Sequence, residues 1–376
     1  MQKNPFTLKE IPADAAFCNR EKEISDLLKF AAGNTNILLY SPRRYGKTSL
    51  IKRVQNMLTA EGTITAYCDL FGVTSVEEIA GKIAKSIYLI TRRNENLFKK
   101  SIRFLTSFRP VLSPEPDGGI SISVQPAYKT VGLDLLDETL ASLENFINDV
   151  DMPVHIVLDE FQEITEVDNA VGIEGTLRHH IQKIQCAFVF VGSRRRILLD
   201  MFNNRKRPFF QSAVNYELKA LPVNDLVGFI VSRFEANGKH ISPDAAAQIC
   251  ELLHQHPYYV QKFCFLLYDH IDKRVTPGDI IETYQWIMES EKALFESTLR
   301  QLTARQIALL TAIAGEPAGK LYSADYMARH SLGSTGGIQR GLNVLSKEDL
   351  IEKQVSTGKW QVVDPVLKEW LIKRRL

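Results

Sequence analysis

Short apolar runs alternate with longer stretches of mixed polarity through the first 220 positions of this 376-residue chain. Such runs stand at 37–40 (ILLY), 63–70 (TITAYCDL), 155–158 (HIVL) and 186–191 (CAFVFV), and each is followed within two positions by a small or polar residue. Runs that are apolar throughout predict strands buried on both faces. Between them the apolar spacing is that of amphipathic helices. These are expected at about 20–30 with Asn19 as cap, from Leu50 onward, at 75–92 with Ser75 as cap and Glu78 three residues on, at 133–149, and at 175–184. Strands and helices in alternation predict an α/β fold, a three-layer parallel sheet core with helices on both faces. A last short strand at 216–222 leaves this sheet.

Beyond residue 220 the pattern becomes helical, with helices expected at 224–237, 243–254, 258–272 and 277–290. These would form a helical lid over 221–292. The final section, 293–376, reads as two or three helices followed by strands at 350–353 and 359–363 joined across Thr357-Gly358, which describes a winged helix. One segment of the 1–220 core breaks the alternation. Residues 94–130 carry Pro110, Pro114, Pro116, Gly118, Gly119 and Pro126 around an alternating strand at 120–124, and are expected to form a protruding hairpin or a partner-contact excursion.

At 45% hydrophobic residues the chain can bury a large core. Its 46 basic and 44 acidic residues leave a net charge of +2, so any contact with nucleic acid must come from local patches. Five cysteines, Cys18, Cys68, Cys186, Cys250 and Cys264, lack C-x-x-C spacing and imply reduced thiols and no zinc site. No apolar stretch reaches the length of a bilayer, so the expectation is a cytoplasmic protein with no membrane contact.

The candidate chemistry lies where the first apolar strand ends. Ser41-Pro42-Arg43-Arg44-Tyr45-Gly46-Lys47-Thr48-Ser49 joins that strand to a helix, as a phosphate-binding loop does. Backbone amides of such a loop wrap a phosphate, the helix presents its positive end, Lys47 reaches the β- and γ-phosphates, and the Thr48 hydroxyl can hold Mg2+. Ser41 stands where the motif has its first glycine. A second apolar strand ends in Asp159-Glu160, and in an open parallel sheet ligands collect beyond the carboxyl ends of the strands. Asp159 is then expected to hold the metal and Glu160 to orient or deprotonate an attacking water. Ser193, at the end of the next strand, is expected to contact the γ-phosphate or that water. Together these residues imply ATP and ADP as ligands.

These features resemble an AAA-type ATPase, most closely the prokaryotic and archaeal ATPases of the signal-transduction-ATPase class, over almost the full chain. The resemblance rests on positions 41–50, on Phe17, Arg20, Glu21 and Glu23, on Asp159-Glu160, on His256-Pro257-Tyr258-Tyr259, and on the stretch from Asp364 to Leu371. It implies that Arg20 lies by the adenine, that Ser193 is a sensor, and that Pro257 caps the helix closing over the nucleotide. For His256 two readings stand: a contact to the base or ribose, or a helix cap with no ligand. Relatives often carry an arginine after an aromatic pair near the end of the core. Here Phe209-Phe210-Gln211 is followed by Ser212, which implies slow turnover or turnover that awaits a partner.

Two basic groups remain. Arg194-Arg195-Arg196 and Arg205-Lys206-Arg207 could supply a transition-state arginine, an interdomain clamp, a phosphate-backbone contact, or plain solvated charge. Arg92, Arg93, Lys99, Lys100, Arg103 and Arg109 interleave with Phe98, Phe104 and Phe108, which read either as stacking platforms or as residues packing inward. In the winged helix, 334–346 is the candidate recognition helix, with Gln339, Arg340 and Asn343 as the side chains that would meet base edges. One charge among the three favours a protein partner or self-association, with Lys353, Lys359 and Lys373-Arg374-Arg375 keeping DNA as an alternative. The reading is a Mg-dependent ATPase coupling nucleotide state to lid and winged-helix movement. The alternatives are a slow or non-hydrolysing switch that binds a partner protein, and a DNA-binding ATPase of the replication-initiator kind.

Overall fold

The computed structural model describes residues 4–9, 11, 17–92, 94–114, 120–354 and 357–375. The chain divides into two compact units, Glu10–Lys219 and a second made of Met1–Lys9 with Ala220–Leu376.

In chain order the first unit contains α1 (Glu21–Ala32), β1 (Ile37–Tyr40), α2 (Lys47–Ala60), β2 (Ile64–Asp69), α3 (Val76–Thr91), α4 (Glu95–Phe104), β3 (Phe108–Pro114), β4 (Ile120–Pro126), α5 (Gly132–Asp149) and β5 (Val154–Asp159). A 3-10 turn at Phe161–Glu166 follows, then α6 (Ala170–Ile181), β6 (Ala187–Gly192), α7 (Arg195–Asn203) and β7 (Val214–Glu217). Five parallel strands form one sheet in the order β2-β5-β6-β1-β7. The apolar runs behave as their composition requires. Ile37 and Leu39 of β1 pack with Leu27, Leu50 and Val54 under α1 and α2, while Leu38 and Tyr40 join the larger cluster under the helices of the other face. Alternate residues of one strand thus serve opposite faces, which a strand buried on both sides must do.

Three expectations for this unit need correction. Asn19 does not cap α1: the cap position is Arg20, and the Asn19 side chain accepts from the Arg20 amide. Residues 95–104 form a helix that the proline- and glycine-rich surroundings obscured, capped by Asn94 through the amides of Asn96 and Leu97. Pro116, Gly118 and Gly119 lie outside the described residues. The β3–β4 hairpin pairs Phe108 with Pro126 through Pro114 with Ile120, the hairpin expected there, but its base packs on α3. Phe108 and Ile122 are buried in the main core, and Gly81 of α3 faces Phe108 and Val124. The buried Tyr88 hydroxyl, donating to the carbonyls of Leu105 and Phe108, fixes the turn between α4 and the hairpin. Phe104 and Phe98 pack against the same core, so the interleaved aromatics take the inward-packing reading.

The second unit contains α8 (Val223–Glu235), α9 (Pro243–Leu252), α10 (Pro257–His270), α11 (Pro277–Arg300), α12 (Ala304–Gly315), α13 (Ala324–Arg329), α14 (Thr335–Lys347), β8 (Ile351–Lys353), β9 (Trp360–Val362) and α15 (Pro365–Arg375). Caps explain most of the starts: Ser242, Thr276, Thr303, Ser323 and Ser334 each accept from an amide in the first turn. The helix expected to stop at 290 continues to Arg300, because nothing after its proline start breaks it. β8 and β9 pair antiparallel as the wing. Asp364 accepts from the amides of Val366 and Leu367 at the start of α15 and from the Tyr259 hydroxyl of α10 at 2.6 Å, joining the helical region to the winged helix. Phe6 is buried here among Phe229, Phe234 and Tyr268, so the first described residues pack with this unit.

Candidate nucleotide site

The strand order brings the ends of β5, β6 and β1 side by side. In register, Tyr40 lies opposite Gly192 and Asp69 opposite Asp159, so the residues that follow each strand emerge at one edge of the sheet. The chain leaves β1 through Ser41 and turns back at Gly46, whose φ of 85° is in the left-handed region that suits glycine. α2 starts immediately after, at Lys47. Arg44 also has positive φ, and Arg43 and Arg44 are exposed. Pro42 and Tyr45 are half-buried, and the Ser49 hydroxyl accepts from the Ile11 amide.

Lys47 is only 6% exposed, and its Nζ donates to the carbonyls of Ser41 and Pro42, each at 3.0 Å. Ser41, where glycine was expected, is fully buried, and its Oγ lies 3.4 Å from Nζ as a further acceptor. The substitution is thus absorbed by the loop as a polar contact to the lysine. Across the loop, Thr48 Oγ1 donates to Asp159 Oδ2 at 3.2 Å. These two residues are 111 apart in sequence, and their meeting joins the loop to the acidic strand. A hydroxyl and a carboxylate together are the oxygen donors that a hard cation such as Mg2+ takes.

Asp159 is 5% exposed, and its other oxygen accepts from the Glu160 amide at 2.8 Å. Burial raises its pKa, opposed by the Tyr67 hydrogen bond and that amide. Tyr67, from β2, donates its hydroxyl to Asp159 Oδ2, and Lys52 Nζ lies 5.4 Å from the centre of its ring. Burial and the neighbouring Asp159 push the Tyr67 phenol well above its ordinary range, so it remains a donor. Sequence reading missed Tyr67. Its signal was weak, a tyrosine two residues before the end of a strand.

Glu160 has φ 50° and ψ 44°. Its Oε2 accepts from Ser193 Oγ at 3.3 Å and from the Gln162 amide nitrogen. Ser193, expected near the γ-phosphate or the attacking water, thus meets Glu160 of the acidic pair. Gln162 was also missed, because a glutamine following Asp-Glu-Phe carries no motif signal of its own.

Other expected residues make contacts of their own. Arg20 is 4% exposed, with its guanidinium donating to Glu23 at 2.6 Å and to the Lys219 carbonyl at 2.8 Å, so it ties the start of α1 to the end of β7. His256 and Pro257 belong to the second unit. Pro257 is the first residue of α10, and the buried His256 ring packs 4.9 Å from that of Tyr259. Of the basic group, Arg194 pairs with Glu166, Arg195 with Glu217 and Arg207 with the buried Glu174, whereas Arg196, Arg205 and Lys206 are exposed.

A family model for an ATPase domain found predominantly in Archaea matches residues 17–262. The chain belongs to this family. It is an ATPase, and a second model, described as a probable winged helix domain, matches residues 293–373. Among solved structures, a Walker-type ATPase of Pyrococcus abyssi is similar with a TM-score of 0.71 at 17% identity, covering 98% of this chain and 99% of that one. The ORC2 protein of Aeropyrum pernix, in ADPNP-ADP complexes, is similar with a TM-score of 0.60 at 17% identity, covering 99% of this chain and 97% of that one. At these identities the likeness is one of fold. No curated protein sequence matches the chain. Among the described residues of this archaeal-type ATPase, no helix is long and apolar enough to cross a membrane.

Proposed function

We propose that this ATPase binds Mg-ATP over the loop that follows β1 and hydrolyses it slowly, with nucleotide state coupled to movement of the helical region and winged helix. The contact between Thr48 and Asp159 is the observation that carries this reading, because it joins a phosphate-loop hydroxyl to a buried carboxylate from a different strand. Lys47 would exchange its loop carbonyls for phosphate oxygens. The loop amides and the positive end of α2 would hold the remaining phosphate charge. Thr48 and Asp159 would hold magnesium, which when bound supplies charge neutralisation to the phosphates. Glu160, steadied by Ser193, would orient the attacking water and accept its proton. ADP and phosphate are the products.

Partner-dependent turnover is supported by the basic group, since Arg194, Arg195 and Arg207 are each paired with a glutamate of the same unit. Ser212, where relatives often carry an arginine, donates its hydroxyl to the Phe209 carbonyl. The positions shared with the signal-transduction class support a switch of that kind in the cytoplasm. On α14, Gln339 is bonded to Tyr322 and Asn343, and Arg340 to the Gly336 carbonyl, which favours a protein partner or a second copy over base recognition. Phosphate release by wild type, Lys47→Ala and Glu160→Gln tests the proposal. Both variants should be slow, with ATP binding kept in Glu160→Gln, and equal rates in all three would overturn it. The same assay with duplex DNA present would favour the replication-initiator alternative if turnover rose steeply and the rise fell away with salt.

A further inference from the structure

The side chain that reaches Glu160 from behind is Gln162, in the 3-10 turn after β5. It is fully buried, yet only its amide nitrogen is used: Oε1 has no hydrogen-bond partner among the described residues. An ionised carboxylate only accepts, so the nitrogen must face Glu160 and the bare oxygen must face away. A buried oxygen without a donor is destabilising, and a methionine of similar length would fill the same space without it. The neighbouring strand is cut to fit. Gly192 ends β6, and a Cβ there would collide with Gln162 Oε1 and sit 2.8 Å from Leu198 Cδ1. The left-handed backbone at Glu160 completes the arrangement by reversing the chain so that residue 162 returns alongside residue 160.

We propose that Gln162 is a positioning residue for Glu160, holding the carboxylate that faces the attacking water, and that Gly192 is the opening that admits it. This inference rests on the assignment of Glu160 above. A polar residue that merely filled the core would affect folding, whereas a positioning residue must act through the carboxylate.

A double-mutant cycle separates the two. Gln162→Met should lower kcat by about tenfold to a hundredfold, the scale of loss when a reacting group is slightly misplaced, with KM and ATP affinity unchanged. In the Glu160→Gln background the same substitution should cost nothing further, since residues that act as one unit are not additive. Gly192→Ala should reproduce the loss by evicting the Gln162 amide, and it carries the test if Gln162→Met fails to fold. Wild-type kcat in Gln162→Met and Gly192→Ala, or losses that add to that of Glu160→Gln, would overturn the proposal. Full turnover in Glu160→Gln alone would instead remove the assignment on which it rests.

Discussion

Replacing Glu174 by glutamine should abolish a fall in stability that the wild-type protein shows as pH rises toward neutrality. Glu174 lies on α6 at zero exposure, with Oε1 accepting from Arg207 and Oε2 without a partner among the described residues. Burial raises its pKa from 4.5 to about 7, against the opposing pull of Arg207. Between those values the folded protein keeps a proton that the unfolded chain has released. The free energy of unfolding therefore falls as pH rises from about 4.5 to about 7, and this group adds nothing more above that. At about 1.4 kcal/mol per pH unit the window amounts to about 3 kcal/mol. For a domain of this size that is about 6–12 °C in melting temperature. Glu174→Gln keeps a carbonyl oxygen for Arg207 and cannot titrate. Melting curves of wild type and variant across pH 4.5 to 8 should diverge in the variant's favour up to about pH 7 and run parallel beyond. Parallel curves over the whole range would refute the reasoning.

Two further substitutions probe the second unit. Phe6→Ala empties a site enclosed by Phe229, Phe234 and Tyr268 and should cost about 3–5 kcal/mol, seen as earlier melting and faster proteolysis of the helical region; an unchanged melting temperature would mean that Phe6 is not a core residue. Tyr259→Phe removes the donor to Asp364, whose pKa burial already raises, and should cost about 1.5–3 kcal/mol, with a matching drop in melting temperature as the check.

Most of the sheet was legible because four of its strands are mainly apolar runs, as burial on both faces requires, whereas β7, Val-Asn-Tyr-Glu, carries no such run. The site was legible because the loop and the acidic pair each follow such a run. Sequence could not show that Tyr67 and Gln162 turn toward the acids, since the first depends on which strands become neighbours and the second on the left-handed backbone at Glu160. β2 lies beside β5, although two helices, a hairpin and a third helix separate them in the chain. For Arg20 the motif position pointed to a ligand, and what sequence could not show is that its guanidinium bonds Glu23 and the Lys219 carbonyl. The hairpin was misjudged for a similar reason. Prolines and glycines mark turns, but whether the strands between them pack inward depends on the receiving surface, here Gly81 of α3.

Calorimetric titration with a slowly hydrolysed ATP analogue and magnesium, on wild type, Lys47→Met and Glu160→Gln, tests the central claim most directly. Wild type and Glu160→Gln should bind with similar affinity, and Lys47→Met should give no measurable heat at the same concentrations. Undiminished binding by Lys47→Met would contradict a nucleotide site built on the loop after β1.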